Sequence, residues 1–275
     1  MSGTVRPHTG VDREATPGAQ AVLPLLELEK ACGELPPLSA LLGITSRGVP
    51  LLVDLLRPET GHIFVVGPGG VGKSTLLRTA MASICLHSSP SQVGLFAVDL
   101  SGVQLSVLEA IPHRLAAPAR EVDEAGQLLT WFEREAEDRL ERGIQSPALI
   151  LLIDDLDWVT DPDQAQSLQS LKIILRIGIA TGVHVLAGGS RLPEFLDGPD
   201  ADGFVLAVPG AGGWVSSPGD FMFKASGWQA SAQVAFLSAL DLNRLVVSLR
   251  GEVRALHGPS VALAVRKMLT LEAVE

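Results

Sequence analysis

The stretch that most constrains this chain is the glycine-rich sequence GPGGVGKST at residues 67–75, which follows the apolar run HIFVV and precedes the helix-forming run LLRTAMASI. In the spacing G-x-x-x-x-G-K-[ST], glycines allow backbone N–H groups to curl around a polyphosphate, and the following helix directs its positive end at the same anion. Lys73 would contact the β- and γ-phosphates, and Ser74 would ligate Mg²⁺. The residues expected to line the nucleotide are Gly67, Pro68, Gly69, Gly70, Val71, Gly72, Lys73, Ser74 and Thr75.

The composition is that of a chain with a large buried core. It has 275 residues, of which 47% are apolar and 19% charged, enough for one large α/β domain with small appendages. Strands of a parallel sheet that is covered on both faces are apolar throughout. We therefore expect an α/β fold with a mostly parallel central sheet and helices on both faces.

The apolar runs, the cysteine content and the net charge indicate in which compartment the protein works and how it could bind nucleic acid. No apolar run is long enough to span a bilayer, and residues 1–20 contain no apolar signal-peptide core. Cys32 and Cys85 are too few for a disulfide framework, so we expect a cytoplasmic protein without a membrane span. The net charge of −10 argues against coating nucleic acid by bulk electrostatics, but it leaves a local basic patch or a ring pore open.

A pair of carboxylates follows the apolar run ALILLI at residues 148–153. Asp154 would hold the water shell of Mg²⁺, and Asp155 would orient or deprotonate the attacking water. Because the pair ends a different strand from the one that leads into the glycine-rich loop, the two motifs together indicate a P-loop enzyme. Asp157 is interpreted as a surface or helix-capping residue.

Other polar positions near predicted strands have competing interpretations. Asp99 ends an apolar strand, where it would face a ligand at the sheet edge or cap a turn. Ser190 and Arg191 follow the strand VHVLAGG, near the predicted γ-phosphate, where a polar residue could sense the state of the nucleotide. His184 lies inside that strand and is interpreted as a core histidine rather than a catalytic one.

Periodicity and turn residues predict the remaining elements. Strands are expected near 49–55, 62–66, 93–99, 148–153, 183–189, 203–208, 220–224 and 232–236. Helices are expected at 22–31, in a further turn within PPLSALLGI at 36–44, after the glycine-rich loop, and at 122–142, 164–181 and 241–250. The start of the chain, 1–20, is expected to be disordered because it is rich in Gly, Pro, Ser and Thr.

These motifs occur in the order and spacing of one family, and the run from about 48 to 251 resembles the motor domain of the FtsK/SpoIIIE DNA translocases, within the larger FtsK/HerA group. The matching segments are RGVPLLVDLLRPETGHIFVVGPGGVGKSTLLRTA, FAVDLSGVQLSVLEAIPHRL, ALILLIDDLDWV, GIATGVHVLAGGSRLP and SPGDFMF. On this resemblance the chain divides into a tail at 1–20, an N-terminal helical extension at 21–47, an ATPase domain at 48–251 and a short C-terminal helical tail at 252–275.

The resemblance implies a RecA-like ATPase that binds ATP and Mg²⁺, assembles into a hexameric ring with ATP at subunit boundaries, and threads double-stranded DNA through its pore. It assigns Ser190 to the sensor position. The usual catalytic glutamate of the family falls on Asp155, whose carboxylate is one methylene shorter. Since a misplacement of about 1 Å can cost about a hundredfold in rate, slow hydrolysis is expected.

Two further departures from the family pattern affect the expected site. The usual Pro, Lys and Glu after the third strand are replaced by Leu100, Ser101 and Gln104. The usual arginine in the helix before GVHV falls on Ile179, so that Arg176 or Arg191 would have to supply a charge across the subunit boundary.

Three functions are compatible with these features. The first is a ring-forming ATPase that translocates double-stranded DNA. The second is a weakly hydrolysing nucleotide-binding subunit of a larger assembly, such as a type VII secretion-like machine that moves or recruits protein. The third, a P-loop switch unrelated to polymers, is disfavoured by the order of the motifs.

Overall fold

The computed structural model describes residues 22–103, 105, 110–197, 202–210 and 219–253. The strands are β1 (Ser39–Thr45), β2 (Pro50–Asp54), β3 (His62–Val66), β4 (Val93–Val98), β5 (Ala148–Ile153), β6 (Val183–Gly189), β7 (Phe204–Pro209), β8 (Asp220–Ala225) and β9 (Trp228–Val234). The helices are α1 (Leu25–Cys32), α2 (Lys73–His87), α3 (Val122–Arg142), α4 (Ala165–Thr181) and α5 (Ala239–Val253). Within the described ranges the strands form one nine-stranded sheet in the order β2-β1-β9-β8-β7-β3-β6-β5-β4.

The sheet has a parallel half and an antiparallel half. Strands β7, β3, β6, β5 and β4 run parallel to one another, whereas β8, β9, β1 and β2 are antiparallel to their neighbours. The expected α/β class is therefore confirmed, and the sheet, which was expected to be mostly parallel, is mixed. The carboxyl ends of the five parallel strands meet at one edge, which is where open α/β sheets bind ligands.

Helices cover both faces of the sheet, as expected. Alternate residues of β3 face opposite layers, with Ile63 and Val65 packed among side chains of α1, α2 and α5. Phe64 packs on the other face, against side chains of α3 and α4. Because each strand residue of the parallel half meets apolar groups above or below, these strands read in the sequence as continuous apolar runs.

Helix α3 has the bounds that its sequence predicts. A capping box joins Glu121 and Glu124 at its start, and Gly143 ends it in the left-handed conformation, with its N–H directed at carbonyl groups of the last turn. The helix buries one apolar side, which includes Leu129 and Phe132. The caps and the spacing of the apolar residues thus account for the helix without reference to tertiary contacts.

The predicted helical turn at 36–44 is wrong, because this segment contains β1. Ala40, Leu41 and Leu42 are fully buried, and a short apolar run of this kind does not distinguish a strand from a buried helix. Backbone pairing with β2 and β9 makes this segment a strand rather than a helix. Strand β9 also begins earlier than predicted, at Trp228, directly after the turn at Gly227.

Several predictions lie outside the described residues. They are the disordered start at 1–20, Gln104 and, apart from its first two residues, the C-terminal tail at 252–275. Among the helices that are described, none combines the length and apolar character that crossing a bilayer would require.

Candidate nucleotide-binding site

The glycine-rich loop joins the carboxyl end of β3 to the first turn of α2. Gly67 donates its N–H to the carbonyl oxygen of Gly189 at the end of β6 (3.1 Å), and a Cβ at Gly67 would lie 2.6 Å from Pro209 Cγ. Gly70 and Gly72 have positive φ angles of 82° and 103°, which side chains disfavour. The loop conformation therefore requires the glycines that the motif supplies.

The ammonium group of Lys73 folds back over the loop. Its Nζ donates to the carbonyl oxygens of Gly67 (2.7 Å) and Pro68 (3.1 Å). Helix α2 begins at Lys73, and its first turn contains no acidic residue. Its N-cap residue is Gly72, so no side chain caps the N–H groups of the first turn. A cation and an uncapped helix N-terminus thus lie together at the loop, an arrangement suited to a polyphosphate.

The carboxylates of Asp154 and Asp155 follow β5 at the same edge of the sheet. Strand β6 separates β5 from β3, so the pair lies two strands away from the loop. Asp154 is half-buried and Asp155 is exposed. Oδ1 of Asp154 is buried and has no hydrogen-bond partner among the described residues, which is a position that a cation or its water shell would satisfy.

The surroundings of Asp154 favour a bound cation. Burial raises the pKa of Asp154 above its ordinary value, and the charges of Asp99 and Asp155 raise it further. A hydrogen bond from Ser74 and the charge of Arg78 act in the opposite direction on this pKa. Within the described ranges, no group of three or more His, Cys, Asp or Glu side chains could hold a metal ion. Asp154 and Ser74 are the neighbouring groups that could hold Mg²⁺ together with phosphate oxygens.

The side chain of Asp155 closes a turn with the backbone two residues further on. Its Oδ1 accepts a hydrogen bond from the N–H of Asp157 (2.9 Å), the Asx-turn that a short side chain favours. One oxygen of the predicted catalytic carboxylate is therefore already engaged.

Ser190 and Arg191 directly follow β6 and are both exposed. The Ser190 N–H donates to Oδ1 of Asp157 (2.9 Å). Asp157 is exposed, in agreement with its interpretation as a surface residue, and it also contacts the predicted sensor position. The D-x-D spacing of Asp155 and Asp157 after a strand is the local signal for the turn, but the sequence contains no signal for the contact with Ser190.

Of the two interpretations of Asp99, a ligand-facing residue or a turn cap, the structure supports the turn cap. The side chain is buried, and its oxygens accept hydrogen bonds from Ser101 Oγ (2.6 Å) and from the N–H of Leu105 (2.9 Å). Asp99 still affects the site, because its charge contributes to the raised pKa of Asp154.

Ile179, where the family usually has an arginine, lies at the opposite edge of the sheet from the glycine-rich loop. Ile179 is half-buried beside Gly61 and Gly203, which precede β3 and β7, and a Cβ at Gly61 would lie 2.4 Å from Ile179 Cγ1. Arg176, one helical turn earlier, is exposed. Of the two arginines that could replace the family's usual one, Arg191 is the one that lies at the same sheet edge as the glycine-rich loop.

His184 is a core histidine, as interpreted. It is fully buried at the amino end of β6, and its Nδ1 donates to the carbonyl oxygen of Gly61 (2.8 Å). Its neighbour His62 accepts the N–H of Val185 at Nδ1 (3.0 Å). Burial lowers the pKa of both imidazoles, that of His62 to about 3. Both histidines lie at the edge of the parallel strands that is remote from the loop.

The strand order, the loop after β3 and the acidic pair after β5 define a P-loop ATPase fold of the RecA type. The FtsK/SpoIIIE family model matches residues 22–192. This chain therefore belongs to the FtsK/SpoIIIE family.

Two named relatives are similar in sequence to part of this chain. DNA translocase SftA of Bacillus subtilis is 26% identical over 178 residues, covering 56% of this chain and 18% of that protein. DNA translocase FtsK of Tropheryma whipplei is 31% identical over 182 residues, covering 56% of this chain and 24% of that protein. The chain thus matches less than a quarter of the length of these relatives.

Solved structures with the same fold include two ATPases. The cytoplasmic domain of the Thermomonospora curvata type VII secretion ATPase EccC superimposes with a TM-score of 0.68 at 20% identity, over 87% of this chain and 35% of that chain. EssC (ATPases 2 and 3) of Geobacillus thermodenitrificans gives 0.71 at 16% identity, over 89% of this chain and 54% of that chain.

Proposed function

We propose that this chain is an ATP-hydrolysing motor domain that acts as a ring in the cytoplasm and translocates double-stranded DNA. The observation that carries the proposal is the meeting of the Lys73 loop with Asp154 and Asp155 at one sheet edge, in a member of a family whose named relatives are DNA translocases.

Each part of the site has a distinct role in this proposal. Residues 67–75 hold the phosphates of ATP, and Lys73 exchanges the loop carbonyls for β- and γ-phosphate oxygens. Ser74 and Asp154 hold Mg²⁺, which when bound neutralises charge on the phosphates. Asp155 orients or deprotonates water, and Ser190 senses the γ-phosphate. Arg191 or Arg176 supplies a positive charge to the site of a neighbouring subunit.

Slow turnover is part of the proposal. The carboxylate of Asp155 has a shorter reach than glutamate, and one of its oxygens is engaged by the Asp157 N–H. The turn leaves the second oxygen to act on water, and that oxygen lies closer to the backbone than a glutamate oxygen would, which lowers the rate.

The proposal is tested by steady-state ATP hydrolysis with and without long duplex DNA, using Lys73→Ala as the inactive control. We expect hydrolysis above the control that rises severalfold with DNA. Turnover equal to that of Lys73→Ala, in both the presence and the absence of DNA, would refute the motor.

A second candidate function is a nucleotide-binding subunit of a larger protein-translocating assembly. The engaged carboxylate of Asp155 favours it, as does the shared fold with the type VII secretion ATPase EccC. This function predicts a complex with a partner protein that forms with ATPγS, survives Asp155→Ala and is lost in Lys73→Ala. Pull-downs of these variants from cognate cell extract distinguish it from the motor, for which DNA-stimulated hydrolysis is indispensable.

A further inference from the structure

Asp157 connects the segment after β5 with the segment after β6. Its N–H donates to Oδ1 of Asp155 (2.9 Å), and its own Oδ1 accepts the N–H of Ser190 (2.9 Å). We propose that Asp157 is a positioning residue that keeps the Asp155 carboxylate in register with the sensor segment at Ser190, an inference that rests on the proposed function. We call these two hydrogen bonds the Asp155–Asp157–Ser190 bridge.

The backbone that carries Asp157 is firmly held. The N–H of Leu156 donates to the carbonyl oxygen of Gly188 (2.7 Å), and the Leu156 side chain is buried in the core beneath α3 and α4. Thr160 Oγ1 donates to the carbonyl oxygen of Asp157 (2.8 Å). The bridge therefore starts from a fixed point, and its free end is the Ser190 segment.

Two glycines at the end of β6 allow the segments to approach. A Cβ at Gly188 would lie 2.8 Å from the carbonyl oxygen of Asp154, and a Cβ at Gly189 would lie 3.0 Å from Oδ1 of Asp157. A side chain at either position would displace the end of β6. The close approach is what places the Ser190 N–H within hydrogen-bonding distance of the Asp157 carboxylate.

The bridge provides a direct path between the γ-phosphate and the attacking water. In the proposed function Ser190 lies beside the γ-phosphate, and its hydrogen bond to the Asp157 side chain ties it to the same fixed backbone that holds Asp155. The Ser190 segment and the Asp155 carboxylate are thereby kept at a set separation, and a carboxylate that acts on water must be placed to within a fraction of an ångström. Loss of the bridge should thus impair catalysis while leaving nucleotide binding intact.

The bridge requires an oxygen acceptor at position 157, not a negative charge. Asp157→Asn keeps such an oxygen, whereas Asp157→Ala removes it. Asp163→Ala is a matched control, because Asp163 is an exposed aspartate of the same segment. Its carboxylate has no hydrogen-bond partner among the described residues.

Amide exchange of the nucleotide-free protein tests the contact itself. We expect the Ser190 amide of Asp157→Ala to exchange about five- to tenfold faster than that of the wild type, given the free energy of one hydrogen bond. Asp157→Asn and Asp163→Ala should exchange like the wild type. Unchanged exchange in Asp157→Ala, or equally fast exchange in Asp157→Asn, would overturn the proposal.

Kinetics test the positioning role. Asp157→Ala should lower kcat by about tenfold or more with an ATP Kd within about twofold of the wild type, and Asp157→Asn should restore kcat. A kcat that is unchanged in Asp157→Ala, or a loss that appears wholly in Kd, would contradict positioning. If the wild type itself turns over no faster than Lys73→Ala, the proposed function has failed, and the Ser190 exchange data still decide whether the bridge exists.

Discussion

At the scale of single residues, Asp155 combines two features that act on the same rate. Its carboxylate is one methylene shorter than that of glutamate, and one oxygen accepts the N–H of Asp157. An aspartate closes this turn readily because its oxygen reaches the second following amide. A glutamate would carry its carboxylate away from the backbone and towards the phosphates.

We therefore predict that Asp155→Glu raises kcat by about tenfold, since the longer side chain brings the carboxylate nearer to the attacking water and the phosphates. Asp155→Ala should fall to the rate of Lys73→Ala. Steady-state hydrolysis at saturating ATP measures both variants, with Asp163→Glu as the control for a longer acidic side chain nearby. A lower rate for Asp155→Glu together with an unaffected Asp155→Ala would exclude a role for this carboxylate in activating water.

The site residues differ in how far the sequence reveals their positions. The loop at 67–75 and the pair Asp154 and Asp155 follow apolar strands, and the carboxyl ends of parallel strands meet at one edge. The contact of Asp157 with Ser190 has no such local signal. It depends on how closely the ends of β5 and β6 approach, which Gly188 and Gly189 determine.

At the scale of elements, β1 shows where local pattern fails. The run SALLGIT is apolar and short, so it fits a helix or a strand, and only its pairing with β2 and β9 decides. Gly43 is a position at which a strand and a helix would respond differently to an added side chain. In β1 a Cβ at this residue would lie 1.9 Å from the carbonyl oxygen of Gln233.

Gly43→Ala is predicted to lower the free energy of unfolding by about 1–3 kcal/mol, because β1 and β9 must separate to admit the methyl group. In a helical segment the same change would raise stability by about 1 kcal/mol. Urea unfolding of the two proteins measures the sign. A stabilised Gly43→Ala protein would contradict the pairing of β1 with β9.

The buried histidines at the starts of β3 and β6 give the fold a pH dependence. His62 and His184 are neutral in the folded protein because burial lowers the pKa of each, that of His62 to about 3. In the unfolded chain they recover a pKa of about 6.5. Unfolding thus takes up protons below that pH, and stability must fall as the pH falls from about 6.5 towards 3.

We predict that the free energy of unfolding decreases between pH 7 and pH 5.5 by up to about 1.4 kcal/mol per pH unit for each buried histidine. His62→Asn retains an acceptor for the N–H of Val185 and cannot take up the proton, so its stability should depend less steeply on pH. Urea unfolding at several pH values compares the slopes. Equal slopes for His62→Asn and the wild type would show that His62 does not titrate on unfolding.

At the scale of the whole molecule, the parallel half of the sheet was more predictable than the antiparallel half, where β2 and β8 were expected but β1 was missed and β9 begins earlier than expected. Strands β3, β5 and β6 have the bounds expected from their apolar runs, because both of their faces are covered. The strand order and the pairing of β1 with β9 join residues that are far apart in sequence. Local periodicity carries no information on such pairing.

The net charge of −10 bears on the substrate at this scale. A chain of this charge does not bind DNA through its overall field, so the proposed motor must contact DNA through a local basic surface or through the pore of the proposed ring. DNA-stimulated hydrolysis should consequently weaken steeply as salt is raised, with Lys73→Ala as the background.

Strand displacement tests translocation most directly. A third strand bound to long duplex DNA is released when a motor moves along the duplex. The account predicts ATP-dependent release by the wild-type protein and none by Lys73→Ala or with ATPγS. A wild-type protein that hydrolyses ATP and binds duplex DNA but releases no third strand would contradict the assignment of this chain as a DNA translocase.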